Sequence, residues 1–275
     1  MSDLTYAKVE VMVWNGVDAE KFDTWFKTPE GGFALEQEVL IMDSLISAWP
    51  RRKRKLLEIG CGTGLFLDHL YRCGFDITGV DRSPVMLEAA RKRLGNRASL
   101  HLCNGESLPF DDNEFDFTLL WTVLEFCSDP VAMLSEAARV SAGGLLVGFL
   151  NRHSIYFFTH GRMWAWASPS TLRSAHWYSP SEMRRMIKDG SGYSPAAIRS
   201  VLPGPMWSWK DRTPWKQLNG IIYPPYFGAF TACRVDFSNR RPMNPLHAWK
   251  HIPPVATMAK SKQLKPECFH DSEQG

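Results

Sequence analysis

The chain is predicted to fold as a doubly wound α/β sheet, and three features of the sequence carry that prediction. The first is a corner, LLEIGCGTGLF from Leu56 to Phe66, where a short apolar run ends in Gly60, Gly62 and Gly64 before apolar residues resume at helical spacing. Glycine suits a strand–turn–helix corner because it reaches backbone angles other residues avoid and leaves no side chain between the turn and a ligand. The second is the unbroken apolar run LLVGFL, residues 145–150, which fits a central parallel strand buried on both faces. The third is the alternation of such runs with helical patterns from residue 55 to residue 150, as β-α units require.

Bulk properties narrow the function classes. A length of 275 residues with 44% hydrophobic content supports a sizeable core. A net charge of +3 implies neither a nucleic-acid partner nor an acidic substrate. The one dense basic run, RRKRK at 51–55, reads as a solvated connection ahead of the first core strand. The six cysteines form no C-x-x-C pair and have no histidine at metal-ligand spacing, so free thiols, no metal and a reducing compartment are expected. The N-terminus has no basic-then-apolar leader, and no run approaches the ~18 apolar residues of a membrane span. A cytoplasmic protein without a membrane span is the expectation.

In chain order, Val9, Val11 and Val13 alternate as in a strand, and FDTWFKTPEGG, Phe22 to Gly32, reads as a helical turn and loop. Leu35, Val39, Met42, Ile46 and Trp49 follow helical spacing until Pro50, giving a packing helix from Phe33 to Trp49. After the glycine corner come a helix from Leu65 to Cys73 and a strand, FDITGVD, that ends at Asp81. Ligands of open parallel sheets bind at the strands' carboxyl ends, where an acidic side chain can accept both ribose hydroxyls of a nucleoside. Asp81 is therefore the leading side-chain ligand. Ser83 as N-cap and Pro84 at the first position start the next helix, with Val85, Leu87, Ala90 and Leu94 available for packing. Ser99 to Gly105 and Phe115 to Trp121 supply the third and fourth strands, and Asp129 with Pro130 starts a helix that Gly143 and Gly144 are expected to stop.

The G-x-G-x-G spacing differs from the dinucleotide fingerprint, because the position of its third glycine is Leu65. With Glu58 two places before the first glycine, the corner resembles the first motif of class I S-adenosylmethionine-dependent methyltransferases. The segment GESLPFDDNEFD resembles that family's GDAEALPFPDNSFD, and TVLEFCSDP resembles its xVLEHVxDP. The resemblance is to the small-molecule, type 11-like branch that includes quinone C-methyltransferases. It implies a Rossmann-like sheet of seven strands with a terminal antiparallel hairpin, built from AAIRSVL and FGAFTACRVDF. It implies S-adenosylmethionine as cofactor, bound by Glu58, Gly60, Cys61, Gly62, Gly64, Asp81, Asn104, Gly105, Glu106 and Trp121. Asn104 stands where an aspartate commonly holds the adenine amino group, and its amide oxygen can still accept that bond. Phe126 stands in the histidine position of the second motif, so no imidazole base is carried over there. In such enzymes the segment containing Trp25 and Phe26 often folds over the cofactor as a lid.

The expected organisation is an N-terminal lid and packing helix over 1–50, a catalytic domain over 51–237, and a poorly ordered tail over 238–275. Two aromatic-rich insertions, 151–178 and 203–226, either wall an acceptor pocket or merely cover the sheet, and their place at the carboxyl edge favours the pocket. Trp207, Trp209 and Trp215 are candidates to stack on an acceptor. His153, His160 and His176 are candidate bases should the acceptor have to lose a proton. The implied acceptor is a small, apolar or aromatic molecule rather than a nucleic acid. Two rivals remain open at this point: a nicotinamide-dependent oxidoreductase and a non-catalytic cofactor-binding subunit.

Overall fold

The structure is a computed structural model and describes residues 16–163 and 175–237. The proposed strand at Val9–Val13, part of the first insertion and the tail from residue 238 lie outside the described residues.

Seven strands form one sheet in the order β3-β2-β1-β4-β5-β7-β6. They are β1 (Lys55–Ile59), β2 (Asp76–Asp81), β3 (Ala98–Leu102), β4 (Phe115–Trp121), β5 (Ser141–Leu150), β6 (Ala197–Val201) and β7 (Phe230–Asp236). The first five pair in parallel, while β7 lies antiparallel between β5 and β6, so the expected closing hairpin is present. The winding reverses between β1 and β4, which makes their carboxyl ends the switch point of the sheet.

Side chains alternate across the sheet with period two. Leu56, Leu119, Trp121 and Leu146 join one core, against α2 (Pro29–Ile46), α3 (Leu65–Arg72) and α4 (Pro84–Leu94). Leu57, Leu120, Leu145 and Val147 join the other, against α5 (Pro130–Val140) and α6 (Pro180–Ser191). The layers are helix, sheet, helix. No helix among the described residues is long and apolar enough to cross a membrane.

Most helix starts follow their predicted chemistry. Ser83 Oγ accepts the Met86 amide, Asp129 Oδ1 accepts the Ala132 amide, and Ser179 forms a full capping box with Glu182. Helix α2 begins four residues before its predicted start at Phe33, because Thr28 caps it by accepting the Gly31 amide. A separate helix precedes it, α1 (Gly16–Trp25). Val85, expected to pack, is 38% exposed. The expectation that Gly143 and Gly144 stop α5 fails: the helix ends at Val140 and both glycines lie within β5. At Gly144 a Cβ would come 2.4 Å from the Val235 carbonyl oxygen, so a residue chosen for close strand approach imitates a helix stop. The second insertion, 203–226, has regular structure of its own. It contains a short helix, α7 (Trp215–Asn219), and Asn219 holds the segment by accepting the Gly204 amide and donating to the Ser208 carbonyl.

Candidate active site

A cavity of about 860 Å³ opens at the carboxyl ends of β1, β2 and β4, within the usual range for small-molecule sites. Its floor at one end is the glycine corner. Gly60, Gly62 and Gly64 have φ of 72°, 52° and 75°, the left-handed region that glycine enters freely. They serve different ends. A Cβ on Gly60 would meet Val123 at 2.2 Å and one on Gly64 would meet Leu94 at 2.9 Å, so these two permit packing. A Cβ on Gly62 would meet nothing within 4 Å: that space belongs to the cavity.

Asp81 stands directly across this turn. Its Oδ2 accepts the Gly62 amide at 2.9 Å and its Oδ1 accepts the Ser83 amide at 2.8 Å, leaving further lone pairs toward the cavity. Burial raises its pKa, and the two amides oppose that shift. Beside it, Glu58 is 2% exposed and its Oε2 has no hydrogen-bond partner. Burial first, and then the charge of Asp81, push the Glu58 carboxyl well above its usual range. A nucleoside with a cationic arm supplies what this corner lacks: donors for two carboxylates and a body for the space over Gly62. S-adenosylmethionine is such a molecule, and the residues fit it.

The structure divides the other sequence candidates. Cys61, Asn104, Gly105 and Trp121 line the cavity with Glu58, Gly60, Gly62 and Asp81. Glu106 stands off its wall, with Oε1 accepting the amides of Ser128 and Asp129 ahead of α5. Gly64 is also off the wall, at the N-cap of α3. Among the histidines only His160 reaches the cavity, from a π-helical turn, Phe157–Met163, with its Nδ1 2.8 Å from Thr159 Oγ1. His153 is exposed, and His176 pairs with Glu182 at 3.8 Å. Trp25 and Phe26 line the cavity. Trp209 also does so, whereas Trp207 is 58% exposed and packs edge-on against Trp215.

Several features escaped the sequence reading. Glu38, on α2, is 8% exposed and lines the cavity, with Oε2 accepting Trp121 Nε1 at 3.0 Å. Thr122 and Leu202 have φ of 48° and 63°, and both line the cavity. A β-branched residue at positive φ is strained, and such strain collects at working sites. His69 on α3 and Cys73 at its C-cap stand at i,i+4 spacing, and with Asp43 they place three ligand-type atoms within 4.8 Å of one another. That pair sets a histidine at ligand spacing to a cysteine, which the sequence was not expected to contain, and the trio is off the cavity wall.

Fold and site together define a class I S-adenosylmethionine-dependent methyltransferase. The comparisons agree. Residues 57–148 match the model of the methyltransferase domain. An uncharacterized protein of Methanocaldococcus jannaschii is 35% identical over 62% of this chain and 77% of its own length. A ubiquinone biosynthesis O-methyltransferase of Cereibacter sphaeroides is 29% identical over 64% of this chain and 76% of its own length. The crystal structure of a methyltransferase from Thermotoga maritima, 24% identical, superposes with a TM-score of 0.62 over 80% of this chain and 96% of that one. The chain belongs to the S-adenosylmethionine-dependent methyltransferase family, which decides against both the oxidoreductase and the non-catalytic reading.

The space over Gly62 yields a direct test. Gly62→Val places a β-branched residue at φ 52° and fills the cavity floor, so S-adenosylmethionine affinity should fall by two orders of magnitude or more. Calorimetric titration checks it, and native-like affinity in the variant would remove Gly62 from the site.

Proposed function

We propose that the protein transfers a methyl group from S-adenosylmethionine to a small acceptor with a largely apolar or aromatic body, in a cytoplasmic setting. The observation that carries this is the composition of the cavity beyond the glycine corner, whose walls include Trp25, Phe26, Tyr156, Met206, Trp209 and Phe230. These walls come from α1 or its edge, the two insertions and β7, and they suit an apolar body with ring faces to stack on. The bound donor supplies a methyl group activated by a sulfonium. The chain supplies alignment and a dry enclosure. The similarity to an enzyme named for O-methylation in ubiquinone biosynthesis leans the same way.

Nucleic acid is not part of this proposal. The basic run 51–55 ends where β1 begins, at the amino edge, and Arg54 is already paired with Asp116 at 2.8 Å. Stacked bases would need a basic groove beside the aromatic walls. The test is to screen cofactor-loaded protein against quinol-like, phenolic, amine and carboxylate compounds alongside bulk RNA and DNA. Labelled methyl groups should appear in one or more apolar compounds; transfer to nucleic acid alone would overturn the proposal.

A further inference from the structure

We propose that Glu38 is the catalytic base of the reaction: its cavity-facing oxygen binds a phenol-type hydroxyl on the acceptor and takes its proton as the methyl group is transferred. This rests on the small-molecule function above and adds to it the acceptor's reacting group.

The geometry begins with the anchoring of the carboxylate. Trp121 is its one hydrogen-bond partner among the described residues, and that bond engages Oε2 only. Oε1 is left to the cavity that Glu38 lines. A buried carboxylate with one oxygen clamped and the other open is pre-oriented for a single donor from a ligand.

Its position lies where the two halves of the cavity meet. Trp121, which holds it, packs against Phe66 of the glycine corner with ring centroids 5.6 Å apart and against Phe230 of the acceptor wall at 4.9 Å. Tyr156, on the same wall, lies within the field of the Glu38 charge and stacks toward Trp209 at 4.9 Å. His160 is the competing base. It packs against Tyr156, with ring centroids 4.8 Å apart, and burial lowers its pKa.

The chemistry is matched. Burial, opposed by the Trp121 bond and assisted by the charge of Glu125, pushes the Glu38 carboxyl up to about 8. A base of that strength is suited to a phenol, whose own pKa is about 10. The other titratable groups that line the cavity are Lys21 from α1, Glu58, Cys61, Asp81, Arg82 and Cys103 near the ends of β1, β2 and β3, Cys127 after β4, and Tyr156 and His160 after β5. In the step, the acceptor oxygen forms a bond to the methyl carbon while the carbon–sulfur bond breaks. The bonding pair stays on sulfur, the sulfonium becomes a neutral thioether, and the hydroxyl proton passes to Glu38 Oε1.

The test uses Glu38→Gln in the full chain, with 4-alkylphenols, their methyl ethers and matched alkylamines as probes. Glutamine keeps the volume, but Trp121 claims its carbonyl oxygen, so an N–H donor replaces the acceptor facing the cavity. Phenol turnover should fall at least a hundredfold, with S-adenosylhomocysteine affinity unchanged within about twofold, the control for an intact fold. In the native protein kcat/KM should rise with pH through about 8, and phenols should bind at least tenfold more tightly than their methyl ethers. These two native measurements stand even where the variant does not fold. A flat native profile, a variant with native turnover, or loss of the alkaline rise in His160→Gln but not in Glu38→Gln would overturn the assignment. So would transfer confined to amines, which would leave the small-molecule function standing. Transfer to RNA or DNA alone would overturn both.

Discussion

Replacing Asp81 with alanine will weaken S-adenosylmethionine binding by about 1.5 to 3 kcal/mol, the range for hydrogen bonds to a charged group, or roughly ten- to a hundredfold. The carboxylate does two jobs at once. It accepts one backbone amide on each oxygen, Gly62 on Oδ2 and Ser83 on Oδ1, and so ties the glycine turn to the start of α4. The lone pairs it keeps face the same open space that Gly62 leaves. Alanine removes the ligand's acceptors and releases the turn together, so the loss should lie toward the upper end of that range. Asp81→Asn separates the two jobs: it keeps the shape but sets an N–H donor against one of the backbone amides. Calorimetry with both S-adenosylmethionine and S-adenosylhomocysteine reads the cause. Hydrogen bonds to the shared nucleoside predict equal losses for the two ligands, whereas a loss confined to the cationic donor would point to charge. An unchanged dissociation constant for both would reject the assignment of Asp81.

The cofactor-free protein should lose stability as pH rises from about 5 to about 8, and Glu38→Gln should recover much of that loss. Three buried carboxyls are responsible. Burial pushes Glu38 to about 8 and Glu125 to about 7, and raises Glu58 well above 4.5. The sign follows from proton counting. Between 4.5, where these groups titrate in the unfolded chain, and their folded values, the folded state holds more protons, so raising the pH favours unfolding. The stability they confer as neutral acids is complete below pH 4.5 and is lost as pH passes through 7 to 8. At about 1.36 kcal/mol per pKa unit, the ceiling for Glu38 alone is about 5 kcal/mol. Glutamine stays neutral and keeps the bond from Trp121, so the variant's melting temperature should exceed the native one by on the order of 5 °C at pH 8 and by little at pH 5. Glu125→Gln should act in the same direction while keeping its bond from the Leu150 amide, 2.7 Å in the native protein. The two gains should not add, because the charge of Glu125 acts on Glu38. Melting curves at four pH values decide the matter: a shift independent of pH would show that packing, not ionisation, separates the variants.

What the sequence made legible follows from the range of the interactions involved. The glycine corner, the strand ending in Asp81 and the capping box at Ser179 are local: each is set by residues within a few positions, and each appears where expected. Gly144 shows the limit of local logic, because its small size answers to the Val235 carbonyl on a strand some ninety residues away. Glu38 shows it more fully. On α2 it reads as a polar residue on a helical surface, and only Trp121, 83 residues later, makes it a buried and anchored acid. The acceptor wall is likewise assembled from α1, β7 and two insertions. No single window of sequence contains enough of it to be seen. The histidines mislead for the opposite reason: their chemistry is suggestive in any context, but two of the three do not line the cavity.

The N-terminal helix is joined directly to the glycine turn. Asp23 of α1 accepts Thr63 Oγ1 at 2.7 Å and Arg93 Nη2 at 2.8 Å, and Arg93 Nη1 donates to Thr63 Oγ1 at 2.6 Å. The neighbouring residues Phe22, Trp25 and Phe26 lie over the cavity. The helix can therefore swing away only by breaking an ion pair and a hydroxyl contact in one motion, and Thr63 is the residue immediately after Gly62. A rearrangement of the turn would therefore be passed to the contacts that hold the helix. Because one of those contacts is a partly exposed charge pair, dissolved salt should loosen the hold of the helix on the turn.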